Sequence, residues 1–301
     1  DTSIETNLNG NSILGLGGND TITTGDGKDT INGGNDNDSI TSGGGADFIT
    51  TGTGNDVVVA GAGIDSITSG GGNDNLSGGD GNDIFVMGTT YSTSDTVDGG
   101  AGTDSMTVSN LLAVTAGTTT GVETITIDVD SGTDVFNAAA ITGVTTLNTT
   151  DVADADNSTV NVTGLVSGVT VKNSDSDVDS LIIDTAAGAS LTYDVGSTLN
   201  VGSTTTDAVS VTITNTHASA GNVAATALDN VDTTRLDIDA GSGGNLTVGT
   251  ISNSDKVTTI DLSTSTSGRN LVVGGVADAD SLTSLILNGD GGNITATTAI
   301  A

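Results

Sequence analysis

Along residues 15–86 the large apolar residues recur at an interval of nine: Ile22, Ile31, Ile40, Ile49, Val58, Ile67, Leu76 and Phe85. Most stand between two small polar residues, as in "TIT" and "SIT". Each unit therefore predicts a three-residue strand with one side chain turned inward. Glycine-rich runs separate these strands, and glycine permits the positive φ angles of tight turns. Written in nines, the units are "GLGGNDTIT", "TGDGKDTIN", "GGNDNDSIT", "SGGGADFIT", "TGTGNDVVV", "AGAGIDSIT", "SGGGNDNLS" and "GGDGNDIFV". A further unit, "GGAGTDSMT" at 99–107 with Met106 as its apolar residue, follows an insertion of twelve residues. The preceding stretch "TNLNGNSIL" is a decayed copy, with Asn11 in place of the acid.

The sixth place of every unit is aspartate: Asp20, Asp29, Asp38, Asp47, Asp56, Asp65, Asp74, Asp83 and, beyond the insertion, Asp104. If two units close one coil of eighteen residues, alternate units stack on the same side. One row then holds Asp20, Asp38, Asp56 and Asp74, and the other Asp29, Asp47, Asp65 and Asp83. Neighbouring coils of a parallel sheet lie about 4.8 Å apart. At an effective dielectric near 20, carboxylates roughly 5 Å apart repel by ~3 kcal/mol. Six such pairs cost on the order of 20 kcal/mol before screening, against a typical domain stability of ~5–15 kcal/mol. Bare carboxylates would not hold such a coil together at neutral pH. Calcium suits the rows because it takes six to eight oxygen ligands, carboxylate and carbonyl alike. No nearby histidine or cysteine favours a softer metal.

The pattern G-G-x-G-x-D-x-U-x, in register over these units, resembles the RTX family of calcium-binding nonapeptide repeats. That resemblance implies a parallel β-roll with several bound calcium ions, the aspartates named above being ligands. One departure is Asp36, which replaces the third glycine of its unit and either distorts that turn or adds a ligand. Lys28 is expected in solvent. Places seven and nine face outward and are mostly Thr, Ser or Asn; Phe48, Val57, Val59, Ile84 and Val86 break the rule. Ile84 and Val86 are expected to cap the roll under the insertion. Phe48, Val57 and Val59 are either scattered surface hydrophobes or a contact for a later segment or another subunit.

From residue 108 onward the glycine turns thin out, and short Thr/Val/Ser-rich runs predict further strands. "NLTVGTISNSDKVTTIDL" from Asn245 aligns with "NLVVGGVADADSLTSLIL" from Asn270; "NVAATALDNVDTTRLDI" from Asn222 and "NITATTAIA" from Asn293 extend the series. The spacings of 23, 25 and 23 residues suit a coil of two or three short strands. "GVETITI" at Gly121 and "GVTTLNT" at Gly143 suggest earlier turns. The expected fold is all-β: a calcium-bound parallel β-roll over residues 1–107 and a β-solenoid of longer, irregular coils over 108–301. An immunoglobulin-like sandwich is the alternative for the second part. Three acidic clusters there are secondary calcium candidates: Asp151, Asp154 and Asp156; Asp175, Asp177 and Asp179; Asp278 and Asp280. "DSDVDS" resembles the start of an EF-hand loop but lacks its glycine and closing glutamate. The bland reading of all three is a solvated acidic edge that discourages sheet-to-sheet pairing.

Charge narrows the partners. The 301 residues carry 38 acids against 5 bases, a formal net charge of -33. Such a surface repels nucleic acid and anionic membranes and attracts cations. There is no cysteine and no proline, and no apolar run approaches the ~18 residues of a membrane-spanning helix. The chain opens at Asp1 with no initiating Met, as an excised or processed segment would. His217 is the only histidine, which excludes HExxH and leaves a Ser–His–Asp triad one improbable option. Arg235 is expected to pair with Asp237 or Asp239, and Tyr91 and Tyr193 to be structural. The reading is a non-enzyme with no catalytic residues.

Taken whole, the sequence is most similar to calcium-dependent bacterial surface-layer (S-layer) proteins. That resemblance implies a secreted, extracellular subunit, exported by a type I system, folded by calcium and assembled as a homo-oligomeric two-dimensional lattice at the cell surface. Any contact with cell-surface polysaccharide would lie in a region outside these residues. Two alternatives stay open: an RTX adhesin or biofilm-matrix protein, and the non-catalytic C-terminal part of a type I-secreted enzyme or toxin.

Overall fold

The computed structural model describes residues 3–5, 10–109, 114–115, 117–129 and 133–151, and beyond that, with Thr283, the strands up to Ala296. Among the described residues the chain is all-β apart from a single 3-10 turn at Ala138–Ala140. Every strand pairing among the described residues is parallel. It divides into two compact units: Asp1–Asp128 with Ala140–Thr145, and Val129–Ala139 with Thr146–Ala301.

The first unit is a β-roll. Through Ser105–Ser109 consecutive strands alternate between two parallel sheets, each stacking on the strand two before it; Thr96–Ala101 then pairs with Thr118–Thr120 and Ser105–Ser109 with Thr124–Val129. Ser39, Ile40 and Thr41 lie beside Val57, Val58 and Val59, one eighteen-residue coil later. The apolar column forms the core: Ile22, Ile31, Ile40, Ile49, Ile67, Leu76 and Phe85 are at most 1 % exposed. Several strands are longer than the expected three residues. Thr30–Asn35, Phe48–Thr53 and Val57–Ala62 each run six, because the ladder continues through the glycines of the next unit. Burial then alternates, and the first residue of the following unit also points inward: Gly33, Thr51 and Ala60 follow Ile31, Ile49 and Val58.

Close stacking explains the glycines that follow. Gly63 has φ +145, and a Cβ on it would collide with the carbonyl oxygen of Gly45 in the preceding coil. Asp36, the one acid in such a place, adopts φ 72 itself, and its Oδ2 accepts the Gly18 N–H at 3.1 Å. The turn keeps its shape because aspartate tolerates the left-handed region better than most residues.

The insertion behaves differently from expectation. Thr96–Ala101 is a full strand of the roll, pairing with Asn75–Asp80 in parallel, and Val97 stacks on Leu76 in the core. The register there steps 21 residues, Asn75 to Thr96, against 18 in regular coils. A degenerate unit was therefore hidden in the insertion, and only the few residues around Met87–Thr89 are extra. Tyr91 anchors this segment: it is 1 % exposed, and its hydroxyl lies 2.5 Å from Thr119 Oγ1 and donates to the Gly117 carbonyl at 3.2 Å. Because the roll continues, Ile84 and Val86 do not cap it. Ile84 is exposed beside Ser66 and Ser105, and Val86 is half-buried.

The second unit is a solenoid of two strands per coil, which rules out the sandwich. Val223 pairs with Leu246, Leu246 with Leu271 and Leu271 with Ile294, steps of 23, 25 and 23 residues. These equal the spacings between the sequence copies. The alternate strands form the other sheet, for example Arg235 beside Thr259 and Thr259 beside Ser284. Val162, Val169, Ile260, Leu262, Leu271 and Val273 are buried there. Among the described residues no helix is long and apolar enough to cross a membrane.

Candidate metal centre

The roll places its aspartates in two rows, buried to within 2 % of full occlusion. Each row is a hydrogen-bonded ladder. The backbone N–H of Asp20 donates to Oδ1 of Asp38, that of Asp38 to Asp56 and that of Asp56 to Asp74, at 2.8–2.9 Å. In the other row Asp29 donates to Asp47, Asp47 to Asp65 and Asp65 to Asp83, each at 2.8 Å. The carbonyl of each aspartate is taken too, as Asp38 O accepts the Val57 N–H at 2.9 Å. Asn11 opens the second row, donating from both backbone and side chain to Asp29 Oδ1.

That ladder uses one oxygen of each carboxylate, and most of the row leaves the other without a hydrogen bond. Oδ2 of Asp29, Asp38, Asp47, Asp56, Asp65, Asp83 and Asp104 is buried and accepts no hydrogen bond. A buried polar atom without a partner is costly, and a charged one more so. The pKa of each of Asp38, Asp47, Asp56, Asp74, Asp83 and Asp104 is raised, and that of Asp65 reaches about 6. Burial is the largest cause in every case, with the backbone N–H pulling the other way for most of the set. Repulsion from the neighbouring row members is a smaller contribution. Burial, more than charge crowding, is what disfavours the ionised form of these carboxylates.

Beside Asp38, Asp83 and Asp104 lies space that glycine keeps open, whereas Ser42, Thr51 and Ala60 hold the same place beside Asp47, Asp56 and Asp65. A Cβ on Gly33 would stand 2.5 Å from Asp38 Oδ2 and 2.7 Å from the Thr51 carbonyl oxygen of the next coil. Gly78 has the same relation to Asp83 Oδ2 and Gly99 O. A carboxylate oxygen and a main-chain carbonyl thus converge where no side chain intrudes. Among the described residues no three acidic or histidine side chains meet at one point. Main-chain carbonyls stand beside these carboxylates, and a hard cation with oxygen coordination fits that donor set.

Two carboxylates of the rows escaped the sequence reading. Asp95, inside the insertion, accepts the Asp74 N–H on Oδ1 at 2.8 Å and the Ser92 N–H on Oδ2 at 2.6 Å. The unit around it lacks glycines, so only its Asp-Thr-Val-Asp core carried a signal. Glu123 accepts the Asp104 N–H at 2.7 Å, taking the aspartate's place one coil later. The "GVETITI" repeat hinted at a turn there, but a search for aspartate passes over it. Asp74 differs from its row as well, since Ser69 Oγ donates to its Oδ2.

Lys28 is exposed, as expected, yet its Nζ stands 4.4 Å from the centre of the Phe48 ring and covers part of it. Phe48, Val57 and Val59 remain exposed. Of the secondary candidates, Asp151 ends the strand Thr146–Asp151, and its side chain lies outside the described part. Asp154, Asp156, Asp175, Asp177, Asp179, Asp278 and Asp280 lie outside the described residues, as do His217 and Arg269.

Comparison with protein families gives one match. The family described as RTX calcium-binding nonapeptide repeat (4 copies) matches residues 14–49, 50–85 and 91–108, under a third of the chain. The last segment takes in the unit of Asp95. Comparison with curated proteins and with solved structures returned no match. The chain carries RTX nonapeptide repeats folded as a β-roll; such repeats are calcium-binding motifs, and their number implies several calcium ions.

Proposed function

We propose that this chain is a structural subunit of a calcium-dependent bacterial surface layer, secreted and assembled outside the cell. The observation that carries the reading is the pair of rows in which Asp29, Asp38, Asp47, Asp56, Asp65, Asp83 and Asp104 each bury one carboxylate oxygen that accepts no hydrogen bond. Calcium held by Asp29, Asp38, Asp47, Asp56, Asp65, Asp83 and Asp104, with carbonyls of the adjoining coils, supplies the missing partner; Asp20 and Asp74 stand in the same rows as further ligands. No complete site exists in the unfolded chain, so binding free energy becomes folding free energy. Export unfolded and folding in extracellular calcium follow from the same dependence.

Assembly rests on two further features. A subunit of net charge -33 packs against copies of itself only with bridging cations. The roll also presents Phe48 and Ile84 on one sheet and Val57 and Val59 on the other, available for contact between subunits. The role is architectural and non-catalytic. Negative-stain electron microscopy of the purified chain, in millimolar calcium and after chelation, tests it. Ordered sheets that dissolve on chelation are expected; dispersed rods in calcium would transfer the reading to an adhesin or to part of a secreted enzyme.

A further inference from the structure

The calcium-binding pattern of the roll has a visible limit in the sequence, because the nonapeptide match ends at residue 108. The geometry continues past it. Gly99, Asp104 and the Gly121 carbonyl repeat the arrangement of Gly78, Asp83 and the Gly99 carbonyl one coil earlier. A Cβ on Gly99 would stand 2.6 Å from Asp104 Oδ2 and collide with Gly121 O. Asp104 is fully buried, and its Oδ2 accepts no hydrogen bond.

We infer that Asp104, the Gly121 carbonyl and Glu123 form a terminal calcium site, one coil beyond the recognisable repeats. The inference rests on the reading that the rows hold calcium, and it adds a ligand that the repeat pattern does not contain. Glu123 already holds the place of the next aspartate, with Oε2 on the Asp104 N–H at 2.7 Å. Glu123 is half-buried, more accessible than the aspartates of the regular units. The coil here steps 19 residues between the two acids, not 18, yet Ser105 still lies beside Thr124 in register, so Glu123 stands where the next aspartate would.

Both rows end, but in different ways. The first closes at Asp95, whose two oxygens are satisfied by the N–H groups of Asp74 and Ser92. No oxygen there is left without a hydrogen bond, unlike Oδ2 of Asp104. The second ends only after Glu123, where Thr145 occupies the following coil and gives its N–H and hydroxyl to the Glu123 carbonyl at 2.8 and 3.2 Å. The chain thus replaces acid by threonine once the terminal site is complete. Main-chain bonds tie that site to the next strand, since Thr124 N–H donates to Asp104 O at 3.0 Å. Calcium at the terminal site would therefore order Thr124–Val129, a strand with no nonapeptide of its own.

Native mass spectrometry of the intact chain at graded calcium counts the ions. Glu123→Gln keeps an oxygen for the Asp104 N–H but removes the charge, and is expected to bind one ion fewer than wild type. Glu123→Asp, restoring a carboxylate, is expected to recover the wild-type count. If wild type binds no calcium, the parent reading fails. If wild type binds and Glu123→Gln binds equally many ions, the terminal site alone falls. Hydrogen exchange on the wild-type chain covers the case in which Glu123→Gln does not fold. Amides of Asp104 and Thr124 should gain protection on adding calcium, and equal protection in chelator would overturn the inference.

Discussion

The backbone N–H of Asp38 donates to Oδ1 of Asp56 at 2.8 Å, across one eighteen-residue coil, while Oδ2 of Asp56 is buried and accepts nothing. This division of labour within one carboxylate couples two functions. One oxygen sets the register between coils, and the other is left for the proposed cation. Substituting Asp56→Asn separates the two. The amide retains an oxygen for the Asp38 N–H but carries no charge to be buried. With calcium the variant should melt below wild type and bind fewer ions; in chelator at neutral pH it should melt above wild type. Parallel thermal scans in calcium and in chelator read both signs.

Acidity gives a second expectation. The aspartates' pKa values are raised in the folded state, so the folded form binds more protons than the unfolded one across that range. Their contribution to metal-free stability is present below the unfolded value near 3.8 and is lost as pH rises through the folded values, about 6 for Asp65. In chelator the roll should therefore gain stability as pH is lowered from 7 toward 4. Calcium binding should weaken over the same interval, because protons compete for the same oxygens. Circular dichroism at fixed calcium, titrated with acid, follows both trends.

Much of this arrangement was legible before any coordinates. The eighteen-residue coil, the two rows and the core column follow from a strict nine-residue count, since a parallel stack turns sequence period directly into spatial register. The solenoid spacings of 23, 25 and 23 were equally readable. What the sequence did not disclose depended on contacts between coils. The inward-facing first place of each unit, where Gly33 lies against Asp38, looked like turn material because its neighbour Gly34 is also glycine. Asp95 was hidden because its unit keeps the acid and the apolar residue while losing the glycines. Glu123 was hidden because it fills an aspartate's place with a different residue.

Steric predictions discriminate among the glycines. Gly63→Ala forces a Cβ into the Gly45 carbonyl at φ +145 and should cost about 4 kcal/mol or more, enough to prevent folding of the roll. Gly71→Ala is the control: a Cβ there meets nothing within 4 Å, and its φ lies outside the positive region. It should change stability by no more than about 0.5 kcal/mol. Denaturant titration in saturating calcium measures both.

Asp95 provides a test of which carboxylates bind metal. Both of its oxygens are occupied by backbone N–H groups, so Asp95→Asn should leave the number of bound calcium ions unchanged. Stability should fall by about 1–3 kcal/mol as one charge-assisted hydrogen bond is weakened or lost. Asp65→Asn, with an orphaned Oδ2, should lower the ion count. Isothermal titration calorimetry compares the two.

The central claim is that the buried oxygens of the two rows require calcium for the roll to fold at neutral pH. The most direct measurement is the far-ultraviolet circular dichroism of the chain at pH 7 in chelator, followed through a calcium titration. The account predicts a largely unfolded roll without metal and a cooperative gain of β-structure as calcium is added, reversed by chelation. A β-roll of equal content and equal melting temperature in chelator and in calcium would contradict it.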